Sequence, residues 1–192
     1  MNPFAFLETS DIPTAAQSTV ATVTNMFGFV PNVVVAMAQS PIALSSYLSN
    51  LQSFSGTAFS PVEQQVVLLA ASVVNRSPYS VAVHSTLLRK AGAEPAVIEA
   101  IRTGRSLGDA RLELLRRFTE QVTLRRGEVF EAEVVAFLSG GFARQHLVEV
   151  IFGIGTKVFA HYLQAIAKPE VDSAFKAFEW SAPLNHPQSY RS

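Results

Sequence analysis

Apolar positions recur at helical spacing along almost the whole chain, and the breaks between periodic stretches carry helix start and stop signals. Residues up to Pro13 read as a loose arm. AAQSTVATVTNMFG follows as a helix stopped at Gly28, and Pro31 opens a short apolar helix, PNVVVAMAQ. Ser40 and Pro41 read as an N-cap and first helical position, so the next helix runs to about Gly56. Ser60 and Pro61 repeat that signal, with Glu63 three residues after Ser60 as a capping box. That helix sets Val66, Leu69, Ala70 and Val73 on one face and breaks at Asn75 and Arg76.

Ser77 and Pro78 start a third helix of this kind, to about Ala91. AGAEPAVIEAIRTG predicts a turn and a short helix closed by Gly104. ARLELLRRFTEQVTLRRG is amphipathic, with Leu112, Leu115 and Phe118 inward and its arginines outward. EVFEAEVVAFLSGG is a short helix ended by Gly140 and Gly141, and RQHLVEVIFGIGTKVFAHYLQAIAKP is the longest pattern, stopping before Pro169. From about Ser181 the chain reads as loop. No stretch alternates as a strand would, so the expected class is all-α. One helical domain spans 1–192, with a helical extension over 1–57, a core over 58–180 and a tail over 181–192.

Composition sharpens this picture. The chain of 192 residues is 48% hydrophobic and only 16% charged, which suits a packed core and leaves apolar surface for burial between subunits. Lys plus Arg and Asp plus Glu are 15 each, so the formal net charge is zero and no nucleic-acid partner is expected. The first basic residue is Arg76. The opening MNPFAFLETSDIP lacks the basic flank of a secretory signal and the arginines of a transit peptide. The apolar run VVLLAASVV is too short to span a bilayer. No membrane partner and a cytoplasmic location are expected. There is no cysteine, which excludes disulfides and thiolate metal sites.

NRSPYSVAVHS, residues 75–85, holds the candidate chemistry. Ser77, Ser80 and His84 are spaced i, i+3 and i+7, which places them on one helix face. Ser77 lies at the helix start, where free amides and the macrodipole would depress a thiol pKa. A second sulfur one turn later could close a disulfide, and a histidine one turn further could shuttle protons. The scaffold suits thiol chemistry, yet both sulfur positions hold hydroxyls.

FSPVEQQVVLLAASVVNRSPYSVAVHSTLLRKAG resembles the core of the alkylhydroperoxidase D-like, or carboxymuconolactone decarboxylase, family. There a Ser-Pro start, a Glu-bearing helix, Asn, a Cys-x-x-Cys pair and a His four residues on recur together. GFVPNVVVAMAQSPIALSSYL upstream and the helix ending YLQAIA downstream are similar to the peroxidase-related branch. The resemblance covers about residues 12 to 180. It implies an alkylhydroperoxidase-like helical bundle, an obligate homo-oligomer (trimer or hexamer), and thiol-dependent reduction of hydroperoxides with no cofactor.

Carried over residue by residue, the family's two cysteines fall on Ser77 and Ser80, its histidine on His84 and its glutamate on Gln65. With sulfur at both positions, the resemblance implies that the one at 80 attacks the peroxide, the one at 77 resolves the intermediate, and His84 with residue 65 relays protons. A serine forms neither sulfenic acid nor disulfide, and a glutamine is no general base. The chain as written is therefore expected to lack peroxidase activity. Glu63 sits roughly 200° around the helix from residue 65 and points elsewhere. Two alternatives stand beside this: a non-redox lyase of the carboxymuconolactone decarboxylase type, in which His84 moves protons with help from Arg76, and a pseudoenzyme binding a small apolar ligand.

The remaining features have plainer readings. His161 is expected to pack or to bond a neighbouring helix, with the same pocket as the other option. His146 is expected near a helix start and exposed, and His186 in the tail. Four scattered histidines predict no metal site. FGIGT has neither a preceding strand nor a third glycine, so it reads as close helix packing. Arg116, Arg117, Arg125 and Arg126 read as a solvated helix face.

Overall fold

The structure is a computed structural model that describes Phe4 and residues 6–182. The tail from 183 on, with His186, lies outside the described residues. Among those described there is no strand, and nine α-helices follow one another: α1 Thr14–Phe27, α2 Asn32–Met37, α3 Pro41–Ser55, α4 Pro61–Val74, α5 Pro78–Lys90, α6 Pro95–Thr103, α7 Ala110–Leu124, α8 Glu131–Ser139 and α9 Arg144–Ala167.

Their ends follow the local chemistry. Proline opens α3, α4, α5 and α6 at the first turn, where its missing N–H leaves nothing unpaired. The capping box on α4 is complete: the Glu63 amide donates to Ser60 Oγ at 3.3 Å, and the Ser60 amide donates to Glu63 Oε2 at 2.8 Å. Gly28 and Gly104 end α1 and α6 in the left-handed conformation, at φ 81° and 71°.

Helix α4 is the axis of the bundle and packs against α5, α6, α7 and α9. Every residue from Val66 to Val73 is buried, so the apolar face expected from its spacing extends all round the helix, as befits a central element. One apolar cluster gathers around it, with Phe54, Leu69, Val81, Leu115, Phe137 and Val150. A second joins the N-terminal helices to α9 through Val20, Val23, Met37, Leu44 and Ala160. Helix α9 therefore runs along both. Gly153 allows close contact at the crossing, because a Cβ there would sit 2.6 Å from the Phe54 ring. This is the close packing expected of FGIGT.

Three expectations are corrected. Arg116 is not solvated: it lies buried between Glu113 and Glu120, at 2.8 and 2.7 Å, and their carboxylates offset the cost of burying the guanidinium. His146 is half-buried against Phe59 and Phe142 rather than exposed. Beyond Pro169, where the sequence predicts no element, Ser173–Phe178 form a 3-10 turn that packs on α5. The arm before Pro13 likewise holds a short 3-10 turn, Thr9–Asp11.

Helix α9, with 24 residues, is long and apolar enough by length and composition to cross a membrane, although half of its most apolar window is buried inside the protein.

Candidate functional site

The turn between α4 and α5 sets the geometry. Arg76 adopts φ 52°, the left-handed region, at a cost of roughly 1 kcal/mol for a residue with a Cβ. Two hydrogen bonds accompany it: the Arg76 amide to the Val73 carbonyl at 3.0 Å and the Ser77 amide to the Ser72 carbonyl at 3.1 Å. This is a Schellman closure of α4. It makes Ser77 at once the last residue of that closure and the N-cap position of α5, so the chain reverses with no slack.

The expected one-face cluster forms on α5. Ser77 does not cap the helix with its side chain, as a serine before proline ordinarily would. Its hydroxyl instead donates across to Gln164 Oε1 on α9, and Ser80 Oγ donates to the same oxygen at 2.9 Å. Both lone pairs of that carbonyl are thereby engaged. One turn on, His84 Nδ1 meets Gln65 Oε1 at 3.0 Å. The glutamine oxygen accepts, so Nδ1 carries the proton and Nε2 presents a bare lone pair. That Nε2 is buried and has no protein partner among the described residues. Burial, then the charges of Lys157 and His161, push the His84 pKa well below its usual value, so the ring is neutral near pH 7.

Ser80, His84, Gln65 and Gln164 line one cavity of about 230 Å³. Its walls are mostly apolar: Val23 and Phe27 of α1, Leu44 and Leu48 of α3, Leu68 of α4 and Val83 of α5. It lies at the seam of the two clusters and reaches the surface at Met26, Gln52 and Ser55, which are exposed. Ser77, which shares the Gln164 oxygen with Ser80, is not among the residues that line it.

Three further polar residues that sequence reasoning missed, as it missed Gln164, also line the cavity. Lys157, on α9, is 2% exposed and donates to the Tyr47 hydroxyl at 3.4 Å. Among the described residues no carboxylate pairs with it. Burial lowers its pKa to about 7 and raises that of Tyr47, which stays protonated. Tyr79 donates to Asp172 Oδ2 at 2.5 Å, while Asp172 Oδ1 accepts the Asn32 amide at 3.1 Å. Burial and then Asp172 hold Tyr79 protonated too. This clamp seats the 3-10 turn, whose Phe175 closes one wall. A partial signal for Lys157 was present: a cation in the middle of an apolar helix, four and seven residues from Gly153 and Val150 on the inward face.

His161 takes the neighbouring-helix option. Its Nε2 meets Ser72 Oγ at 3.2 Å, and since that hydroxyl donates to the Leu68 carbonyl, Nε2 carries the proton. It does not line the cavity. Burial, then Lys157, lower its pKa to about 2. Glu63 points away from the site, toward Arg111 at 2.7 Å. Burial opposes its charge, but the Ser60 amide and hydroxyl and Arg111 outweigh this and hold its carboxyl below the usual range. Arg76 is not among the residues that line the cavity. No three His, Asp or Glu side chains gather as metal ligands among the described residues.

Comparison with known proteins agrees with this architecture. Residues 43–119 match the model of the carboxymuconolactone decarboxylase family. No curated protein sequence matches the chain. Among solved structures, an alkylhydroperoxidase AhpD core protein, an uncharacterised peroxidase-related protein from Ralstonia eutropha JMP134, superposes with a TM-score of 0.81 at 19% identity, over 90% of this chain and 93% of that one. A peroxidase-related protein from Silicibacter sp. TM1040 gives 0.77 at 18% identity, over 90% and 92%. The debrominase Bmp8, in complex with 2,3,4-tribromopyrrole, gives 0.77 at 12% identity, over 93% and 96%.

Proposed function

We propose that this chain, which carries a carboxymuconolactone decarboxylase family domain on the alkylhydroperoxidase-like fold, binds a small and mostly apolar molecule in the α3–α4–α5–α9 cavity and performs no thiol-dependent peroxide reduction. One observation carries this reading. The two positions that resemblance assigns to redox cysteines hold hydroxyls, and both are tied to a single oxygen of Gln164. A hydroxyl cannot pass through sulfenic acid or disulfide, so the two-electron step of a thiol peroxidase has no carrier here.

The cavity supports the ligand class. Its walls are mostly hydrocarbon with a few polar side chains among them, as in sites that grip an apolar body and orient it through a small number of polar contacts. His84 Nε2 offers an acceptor there, and Tyr47 and Lys157 offer donors. The tribromopyrrole bound by Bmp8 is a small aromatic molecule of this kind, in a protein that shares the fold. A lyase reading has His84 as its base, but Gln65 gives it no carboxylate to store a proton.

The test is turnover of an organic hydroperoxide with a dithiol reductant. The chain is expected to be inactive, and the Ser77→Cys/Ser80→Cys variant to gain turnover. Peroxidase activity in the unsubstituted chain would overturn the proposal.

We further propose that the chain self-associates through α9. Val148, Ile151, Phe159, Tyr162 and Ile166 are exposed on its outer face at three- and four-residue steps, with Gly155 between them. Such spacing suits packing against another helix, and a homo-oligomer, trimer or hexamer, would cover it.

A further inference from the structure

We infer that Lys157 is a covalent capture point for carbonyl compounds: its amine condenses with a small apolar aldehyde or ketone held in the cavity. The inference deepens the ligand-binding proposal and rests on it.

Geometry carries it. Lys157 is the one lysine turned inward; Lys90, Lys168 and Lys176 are all exposed. Its side chain lines the cavity, with the Tyr47 hydroxyl at 3.4 Å as its hydrogen-bond partner and, among the described residues, no carboxylate to hold it as an ammonium ion. A structural lysine is normally buried with a counter-ion, and an unpaired cation in an apolar wall costs several kcal/mol. The neutral amine avoids that cost, and a desolvated neutral amine is a nucleophile. Its lowered pKa, about 7, agrees. At neutral pH the free-amine fraction then exceeds that of an exposed lysine by roughly two to three orders of magnitude.

The neighbours suit the reaction. The amine nitrogen attacks the carbonyl carbon and the carbonyl π pair moves to oxygen, which takes a proton from the donors at that end, with Tyr47 the nearest to the amine. The nitrogen gives up a proton, and His84 Nε2 is an open acceptor close enough for the Lys157 charge to act on it. The resulting carbinolamine loses water to leave an imine. The balance is R–CHO plus amine giving imine plus water, with no oxidant or reductant.

The probe is 2-naphthaldehyde at pH 7.5 with cyanoborohydride, which reduces any imine to a stable secondary amine, read by intact mass and peptide mapping. Lys157 is expected to be labelled roughly tenfold or more faster than Lys90, Lys168 and Lys176, which serve as controls within the same molecule. Excess 2-naphthylmethanol, an alcohol of similar shape, is expected to protect it. In Lys157→Arg and Lys157→Met only slow, scattered labelling should remain, with far-UV circular dichroism reporting that each variant folds. Labelling of Lys157 no faster than of the exposed lysines overturns the inference. If naphthylmethanol binds saturably while Lys157 stays unlabelled, the cavity remains a ligand site and carbonyl capture falls. If neither compound engages the cavity, both fall.

Discussion

At the scale of single residues, the site is defined by polar groups whose charged forms burial disfavours. Lys157, His84 and His161 all have pKa values pushed down by burial. For each, the unfolded chain binds more protons than the folded one between the two pKa values, so stability rises with pH across that window. The histidine contribution is lost as pH falls below the unfolded value of about 6.5, and the lysine contribution grows from about pH 7 toward 10. Urea midpoints should therefore climb from pH 5 to pH 9. Lys157→Met should stabilise the protein by a few kcal/mol at pH 6 and by much less at pH 9.5, because it removes a buried amine that costs most when protonated. Equal effects at both values would show that Lys157 carries no folding penalty. Ser77, Ser80 and His84 were legible in the sequence, because a motif of fixed spacing on one helix keeps its face whatever surrounds it. Lys157, Gln164 and Tyr47 reach the same cavity from other helices, and no local spacing encodes that meeting.

At the scale of elements, the crossing of α3, α4 and α9 depends on an absent side chain. A Cβ on Gly153 would meet Phe54 Cε2 at 2.6 Å and Val67 Cγ1 at 3.1 Å, and Phe54 is 2% exposed with nowhere to turn. Gly153→Ala should cost roughly 1–3 kcal/mol through overpacking despite the better helix propensity of alanine. A Cβ on Gly155, two residues on, meets nothing within 4 Å in the same chain, so chemical denaturation of both variants, at concentrations low enough to hold each as a monomer, separates packing from propensity. The nine helices were readable because proline starts and glycine stops act within one turn. The Ser173–Phe178 turn was not, because it is held by remote partners, Tyr79 and Asn32 through Asp172. Arg116 misled differently: its partners Glu113 and Glu120 lie one turn away on the same helix, and what the spacing left hidden was the burial of that face by the rest of the bundle.

At the scale of the whole molecule, the apolar stripe on α9 calls for a partner surface. Ile151→Glu with Tyr162→Glu should convert an oligomer into a monomer in light scattering while leaving the inward face of α9 intact, since both side chains are half or more exposed. A wild-type monomer at micromolar concentration would refute the proposed self-association. The cavity is a whole-molecule feature as well. Its lining runs from Val23 in the first helix to Phe175 after the last. On the ribosome, a nascent chain that has exposed the histidine motif has everything a motif search would find and still no binding site. The chamber closes only when Phe175 has emerged and docked, so under the proposed function a bound small molecule would steady the finished protein and not chaperone its synthesis.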